Sequence, residues 1–270
     1  MRRVLSSTLK KKTSLDNKVF VSTLRFRRAQ AGRNPVQIKL IGIDHGDVVP
    51  LGIRTARILK RELSKEKGKI LAEGSGRSML PKEFTKRAID IERIDPVSDF
   101  FLFKILPWHA LPTPALGALS GVTSKYLKEF FVKVKRVDGL APRLVWDELP
   151  ASLERWRKLH RIPKEKLVFG LKLFVTTRSL LLASNIVKEA MEDKGKSDSL
   201  SVVKGSFHMG EIGTFLEKPD TAIRYLKKIE AALRPVSGTE RIRNALNSAQ
   251  HPFEYWKRYT VIKRRRKSNK

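Results

Sequence analysis

The stretch Val36-Gln37-Ile38-Lys39-Leu40-Ile41-Gly42-Ile43-Asp44-His45 decides the fold. Val36, Ile38 and Leu40 alternate with polar residues and run into Ile41-Gly42-Ile43, the pattern of a strand that ends at a glycine turn. Downstream, Asp47 suits a helix cap and Pro50 the first turn. In the helix so predicted, Gly52, Ala56, Leu59 and Leu63 share one face, and Arg54, Arg57, Lys60 and Arg61 face water. Gly68 is a natural stop. A second apolar run, Ile70-Leu71-Ala72, ends at Glu73-Gly74. Strand, helix and strand in so short a span read as a βαβ unit with a parallel pair and a right-handed crossover.

The same device returns in the second half. A long helix is expected over Leu171–Met191, with Leu181, Leu182, Ile186 and Val187 as its apolar stripe. The β run Leu200–Lys204 follows and ends at Gly205-Ser206-Phe207-His208. Pro219 and Asp220 then open a helix that buries Ile223, Leu226, Ile229 and Leu233. The expected fold is therefore α/β, a mixed sheet from two related β–Gly-x-x-His–α halves surrounded by helices. Between the halves, Leu80–Arg93, Tyr126–Val134 and Leu149–His160 read as helices, separated by Pro and aromatic clusters with no catalytic signature.

Composition narrows the chemistry. With 41% hydrophobic and 31% charged residues the chain is an ordinary globular one. It has no cysteine, which excludes disulfides, Cys-ligated zinc, iron–sulfur clusters and thiol catalysis. A metal would be held by His, Asp, Glu or water, a donor set for Mn, Zn, Co or Fe. No segment reads as a clean membrane span; the uncharged run Ile105–Ser124 is interrupted by Pro107, Pro112 and Pro114. Together with Phe100, Phe101, Phe103 and Trp108 it reads as a buried irregular segment.

Net charge is +30, from 57 Lys and Arg against 27 Asp and Glu. Such a chain is drawn to polyanions, RNA or an anionic membrane surface. Residues 1–35 hold ten Lys or Arg and one acid, Asp16, and Lys257–Lys270 hold eight cations and no acid. The expected organisation is a basic N-terminal arm over 1–35, one α/β domain over 36–250 and a basic tail over 251–270. Met1–Arg33 has the Arg-, Lys-, Ser- and Thr-rich, acid-poor composition of a transit peptide, which makes mitochondrial import the expected localisation and the cytoplasm the alternative.

In open α/β sheets ligands bind beyond the carboxyl ends of the strands. His45, Glu73 and His208 all fall there, and they converge if the three strands are neighbours. Two imidazoles and a carboxylate can hold a divalent metal, or act as an acid–base pair without one. Arg77 is positioned to orient Glu73 or to clamp an anion. Asp44, Asp47 and Glu211 flank the site as supporting or capping residues. His109, His160 and His251 lack the pattern and read as structural.

At these residues the chain resembles a family. Gly42-Ile43-Asp44-His45, a helix, then Ala72-Glu73-Gly74-Ser75-Gly76-Arg77 looks like the opening of TraB/PrgY-type proteins, with Gly-x-x-His followed by Glu-x-x-x-Arg. The helix around Arg178 is similar to the family's Arg-centred helix, and Gly205-Ser206-Phe207-His208 to its second motif. Where the family often carries an acid pair, this chain has Thr177 and Ser179. The likeness covers about 36–78 and 170–235 and extends to GumN-like, ChaN-like, erythromycin-esterase-like and TIKI proteins.

The resemblance implies a metal-dependent hydrolase or peptidase. His45, Glu73 and His208 would ligate Mn, Co or Zn, and Glu73, Arg77 and Arg178 would be catalytic, Glu73 as ligand or base. The substrate class is a peptide or small molecule. The alternative expectation is a non-catalytic binding or regulatory protein associated with RNA or a ribonucleoprotein through the basic ends and the aromatics Phe253, Tyr255, Trp256 and Tyr259.

Overall fold

The computed structural model describes residues 19–28, 35–43, 53–65, 68–72, 80–86, 88–90, 96–97, 128–140, 151–192 and 199–262. By compactness the chain divides into two units, each assembled from several segments. The first takes residues 1–93, 182–219 and 252–270, the second 94–181 and 220–251. The single domain expected over 36–250 is thus drawn differently.

The first unit is built on a six-stranded mixed sheet, as the sequence leads one to expect. Its strands are β1 Val19–Arg28, β2 Val36–Ile43, β3 Lys69–Ala72, β4 Ala88–Asp90, β5 Ser199–Gly205 and β6 Tyr259–Val261. Their order is β4-β3-β5-β2-β1-β6. The block β4-β3-β5-β2 is parallel; β1 runs antiparallel to β2, and β6 antiparallel to β1. The βαβ reading is corrected in one respect. Helix α1, Ile53–Ser64, does connect β2 to β3, but those strands are not neighbours, because β5 lies between them.

The central strands β2 and β5 are buried on both faces along most of their length. On one face Ile41, Ile43, Ile70, Ala72 and Val203 form a core with Leu59 and Leu63 of α1. Each leucine contributes roughly 1.5–3 kcal/mol by leaving water. Lys39 and Ser201, opposite each other in register, are buried polar residues on this face. The Lys39 ammonium is buried and meets Glu62 of α1, donating to the main-chain oxygen at 2.8 Å and pairing with the carboxylate at 3.1 Å.

Two expected boundaries move. β1 falls within the stretch expected to be a basic arm, and its Leu24 and Phe26 are core residues alternating with exposed Arg25 and Arg27. β6 and part of a helix fall within the expected tail: α8, Gln250–Trp256, buries Phe253 and Trp256 completely. The Trp256 indole N–H donates to the Leu216 carbonyl at 3.0 Å, and its ring meets Phe26 at 5.0 Å and stacks on Tyr259 at 4.4 Å. Phe253 and Trp256 are therefore core residues, not a platform for bases. Leu80–Arg93 is also not one helix; a single turn, α2 Lys82–Thr85, with Phe84 buried, leads into edge strand β4.

The second unit is helical. It holds a short helix over 128–133, α3 Ala151–Leu159, the first part of α4 Lys164–Glu192, α6 Pro219–Leu233 and α7 Glu240–Ser248. The stripe expected on α4 is buried, as are Ile223, Leu226, Ile229 and Leu233 of α6. By length and composition α4 would pass for a membrane span, but 61% of that window is buried within the protein, as in a core helix. The segments 100–124 and 1–18 lie outside the described residues.

Candidate active site at the carboxyl edge of the sheet

The register of the central strands gathers the motifs. In the parallel pair β2·β5, Gly42 lies opposite Lys204 and Ile43 opposite Gly205. In β3·β5, Ala72 lies opposite Val203. β5 is flanked by β2 and β3, and all three end within about two residues of one another at the same edge. His45 follows Ile43 by two residues and Glu73 follows Ala72 directly. His45, Glu73 and Arg77 themselves, with Asp44 and Asp47, lie outside the described residues.

The second motif is not a loop. β5 runs to Gly205 and helix α5, Ser206–Glu217, begins at the next residue. Gly205 has φ −53° and ψ 135°, extended backbone open to any residue, so its conformation does not demand glycine. His208 is the third residue of α5 and is 8% exposed. Glu211, half-buried, follows one turn later, where i and i+3 side chains are neighbours. The N-cap Gly205 offers no side-chain cap to α5, whose first N–H groups lack acceptors within the helix and so favour negative charge at this edge.

Gly42 earns its glycine by close approach. A Cβ there would stand 2.9 Å from Met209 Cγ and 3.1 Å from Ser206 Cα. The absent side chain lets the first turn of α5, which carries His208, press on β2. The glycine of one motif thus seats the histidine of the other.

Lys204 is a site-edge residue that sequence reading passed over. It is 1% exposed, directly precedes Gly205, lies opposite Gly42 and is not without an interaction partner. The only signal available was a lysine closing an otherwise apolar strand, which reads as a strand end meeting water.

Arg178 lies on α4 among residues of the second unit, half-buried, with its guanidinium 5.7 Å from the centre of the Phe174 ring. Thr177 and Ser179 are buried, and each hydroxyl donates to a carbonyl of the preceding turn, Thr177 to Leu173 at 2.6 Å and Ser179 to Val175 at 3.0 Å. A carboxylate at either position cannot donate to such a carbonyl, so the hydroxyls suit these buried sites where the acids of the resembled family would not.

Among the described residues no group of three or more metal-ligating side chains gathers. The donor chemistry of the full set, imidazole and carboxylate without thiolate, fits a divalent ion of the Mn, Co or Zn kind. No protein-family model matches the chain, and no curated protein or solved structure matches it significantly.

Proposed function

We propose that the chain is a metal-dependent hydrolase of the TraB type, acting on a peptide or similar acyl bond. The observation that carries this reading is the register Gly42–Lys204, Ile43–Gly205 and Ala72–Val203, which ends β2, β5 and β3 at one edge. His45, Glu73 and His208 would hold the ion, with Glu211 as a further carboxylate close to His208. A bound divalent ion supplies Lewis acidity toward a scissile carbonyl. Glu73, where it is not a ligand, takes the proton of the attacking water. Arg77 fixes the Glu73 carboxylate or the substrate's anionic end, and the first turn of α5 favours the charge that develops on the carbonyl oxygen.

The test is titration of Mn, Co and Zn into the purified chain, comparing wild type with His45→Ala/His208→Ala, and with His45→Ala alone because His208 is buried. The expected result is stoichiometric binding by wild type and its loss in both folded variants, followed by metal-dependent cleavage in a peptide panel. Equal metal binding by all three proteins, or none by wild type, overturns the reading.

A further inference from the structure

The second unit carries a basic cleft that the carboxyl-edge site does not use. One wall is the segment Lys135–Asp138, tied to α6 by the Lys135 N–H donating to the Ala232 carbonyl at 3.2 Å. The other wall is the exposed face of α6. The cleft encloses about 390 Å³, with Lys135, Arg136 and Asp138 on one side and Lys228, Ala231 and Arg234 on the other.

The charges do not cancel. Arg136 has Asp138 at 3.5 Å and Arg234 has Glu230 at 2.9 Å, so two cations are neutralised locally. Lys135, Arg224, Lys227 and Lys228 have no ion-pair partner among the described residues. On α6, Arg224, Lys227, Lys228 and Ala231 are exposed at helical spacing, continued by Arg234, while Ala222, Ile223, Leu226 and Ile229 are buried behind them. Asp220, in the first turn, is the one exposed acid of this helix. From Arg224 to Arg234 the row spans about 15 Å at 1.5 Å per residue.

We propose that this cleft and the exposed face of α6 that continues from it bind the phosphate backbone of a nucleic acid, through Lys135 and Lys228 in the cleft and Arg224 and Lys227 on the helix beside it. The shape and lining favour a strand over a lipid surface. Membrane docking calls for large apolar side chains beside the cations, and the exposed ones, Phe20, Ile89, Val132 and Leu159, do not line the cleft. The described residues that line it include no aromatic ring for bases to stack on, so recognition is electrostatic and independent of sequence. The inference stands apart from the hydrolase reading and also relocates the expected polyanion contact from the chain ends to folded structure.

The experiment is fluorescence anisotropy with a labelled mixed-sequence 20-nucleotide RNA, titrated across salt concentrations with the full chain. The variant is Lys135→Gln/Lys227→Gln/Lys228→Gln. Two controls remove the same charge elsewhere: Lys82→Gln/Lys86→Gln/Lys218→Gln on exposed positions of the first unit, and Arg264→Gln/Arg265→Gln/Arg266→Gln in the tail. Each lost phosphate contact on a single strand lowers the log–log salt slope by about 0.7. The cleft variant should lose about 2 from the slope and weaken roughly tenfold or more near physiological salt, while both controls stay close to wild type. Equal weakening by all three variants, as a general field would give, overturns the proposal. So does weakening confined to the tail variant, or a cleft variant that binds RNA normally but loses anionic phosphatidylserine vesicles.

Discussion

Replacing Gly42 by alanine puts the seating of α5 on β2 to a direct test. A methyl at Gly42 would lie 2.9 Å from Met209 Cγ, 3.1 Å from Ser206 Cα and 3.4 Å from Ser206 Cβ. Carbon atoms rest at about 3.5–4.0 Å, so the first turn of α5 must retreat by roughly half an ångström. Part of the obstacle is main chain, which no rotamer change relieves. Overpacking of this kind costs about 1–3 kcal/mol. For a protein of this size that lowers Tm by roughly 2–4 °C per kcal/mol.

The matched control is Gly210→Ala. Gly210 is exposed on the same helix, and a methyl there meets nothing within 4 Å. Alanine should instead stabilise by about 0.5–1 kcal/mol through its better helix propensity. One chemical change, made at the contact and at an exposed position of α5, thus carries opposite signs, a spread of about 1.5–4 kcal/mol. Urea unfolding reads it as a shift in midpoint at constant slope. If Gly42→Ala proves as stable as Gly210→Ala, α5 does not press on β2 and the account of the two motifs fails. If the hydrolase reading holds, Gly42→Ala also weakens metal binding and Gly210→Ala leaves it intact, because only the former displaces the turn bearing His208.

The Lys39–Glu62 pair gives an asymmetric pair of outcomes. Glu62→Gln leaves a buried ammonium without its carboxylate and should cost about 3 kcal/mol, whereas Lys39→Met keeps the apolar stem and leaves a carboxylate that Arg61 and Lys65 still reach at 3.3 Å, so it should cost less. Burial alone would raise the Glu62 pKa, but the hydrogen bond and charge of Lys39, helped by Lys65, hold it below the usual carboxylate value. Its contribution is therefore present above the unfolded-state value and fades as pH falls below about 4; a wild-type advantage over Glu62→Gln that grew on acidification would refute this. Trp256→Ala should destabilise by about 3–5 kcal/mol in thermal unfolding, and Trp256→Phe by about 1–2 kcal/mol, chiefly the lost bond to the Leu216 carbonyl; a silent Trp256→Ala would mean that the chain beyond 250 is a tail after all.

What was legible in the sequence depended on period. β2, α1, β3, β5 and α6 each show an uninterrupted pattern of apolar residues, and each forms where that pattern places it. β1 was obscured by its own surface. Arg25 and Arg27 occupy the exposed positions between Leu24 and Phe26, and in a segment so rich in cations the alternation was read as an arm. α5 was not read at all, because Gly210 and Gly213 give it poor intrinsic propensity; close packing helps to hold it, with a Cβ at Gly213 only 3.7 Å from Leu40. The insertion of β5 between β2 and β3 had no local signal, since it pairs residues more than 120 positions apart. The place of His208 at the carboxyl edge of β5 was legible from its motif. Lys204 was not, because burial of a strand-end lysine is decided by the helix that follows and not by the strand.

Lys204 also constrains what the carboxyl edge can hold. Among the described residues two lysines are buried, Lys39 and Lys204, on adjacent strands. They are not equivalent. Lys39 lies opposite Ser201 and Lys204 opposite Gly42, so by strand alternation they point to opposite faces. Lys39 has its carboxylate from α1 on its own face. Lys204 points to the face over which α5 begins, where the helix terminus adds more positive potential. A buried ammonium costs several kcal/mol unless negative charge faces it, and that edge concentrates positive potential from two sources. Lys204 already has an interaction partner, so what this edge offers a ligand is the positive potential of the first turn of α5. If the hydrolase reading holds, a substrate bound there presents its negative end toward that turn.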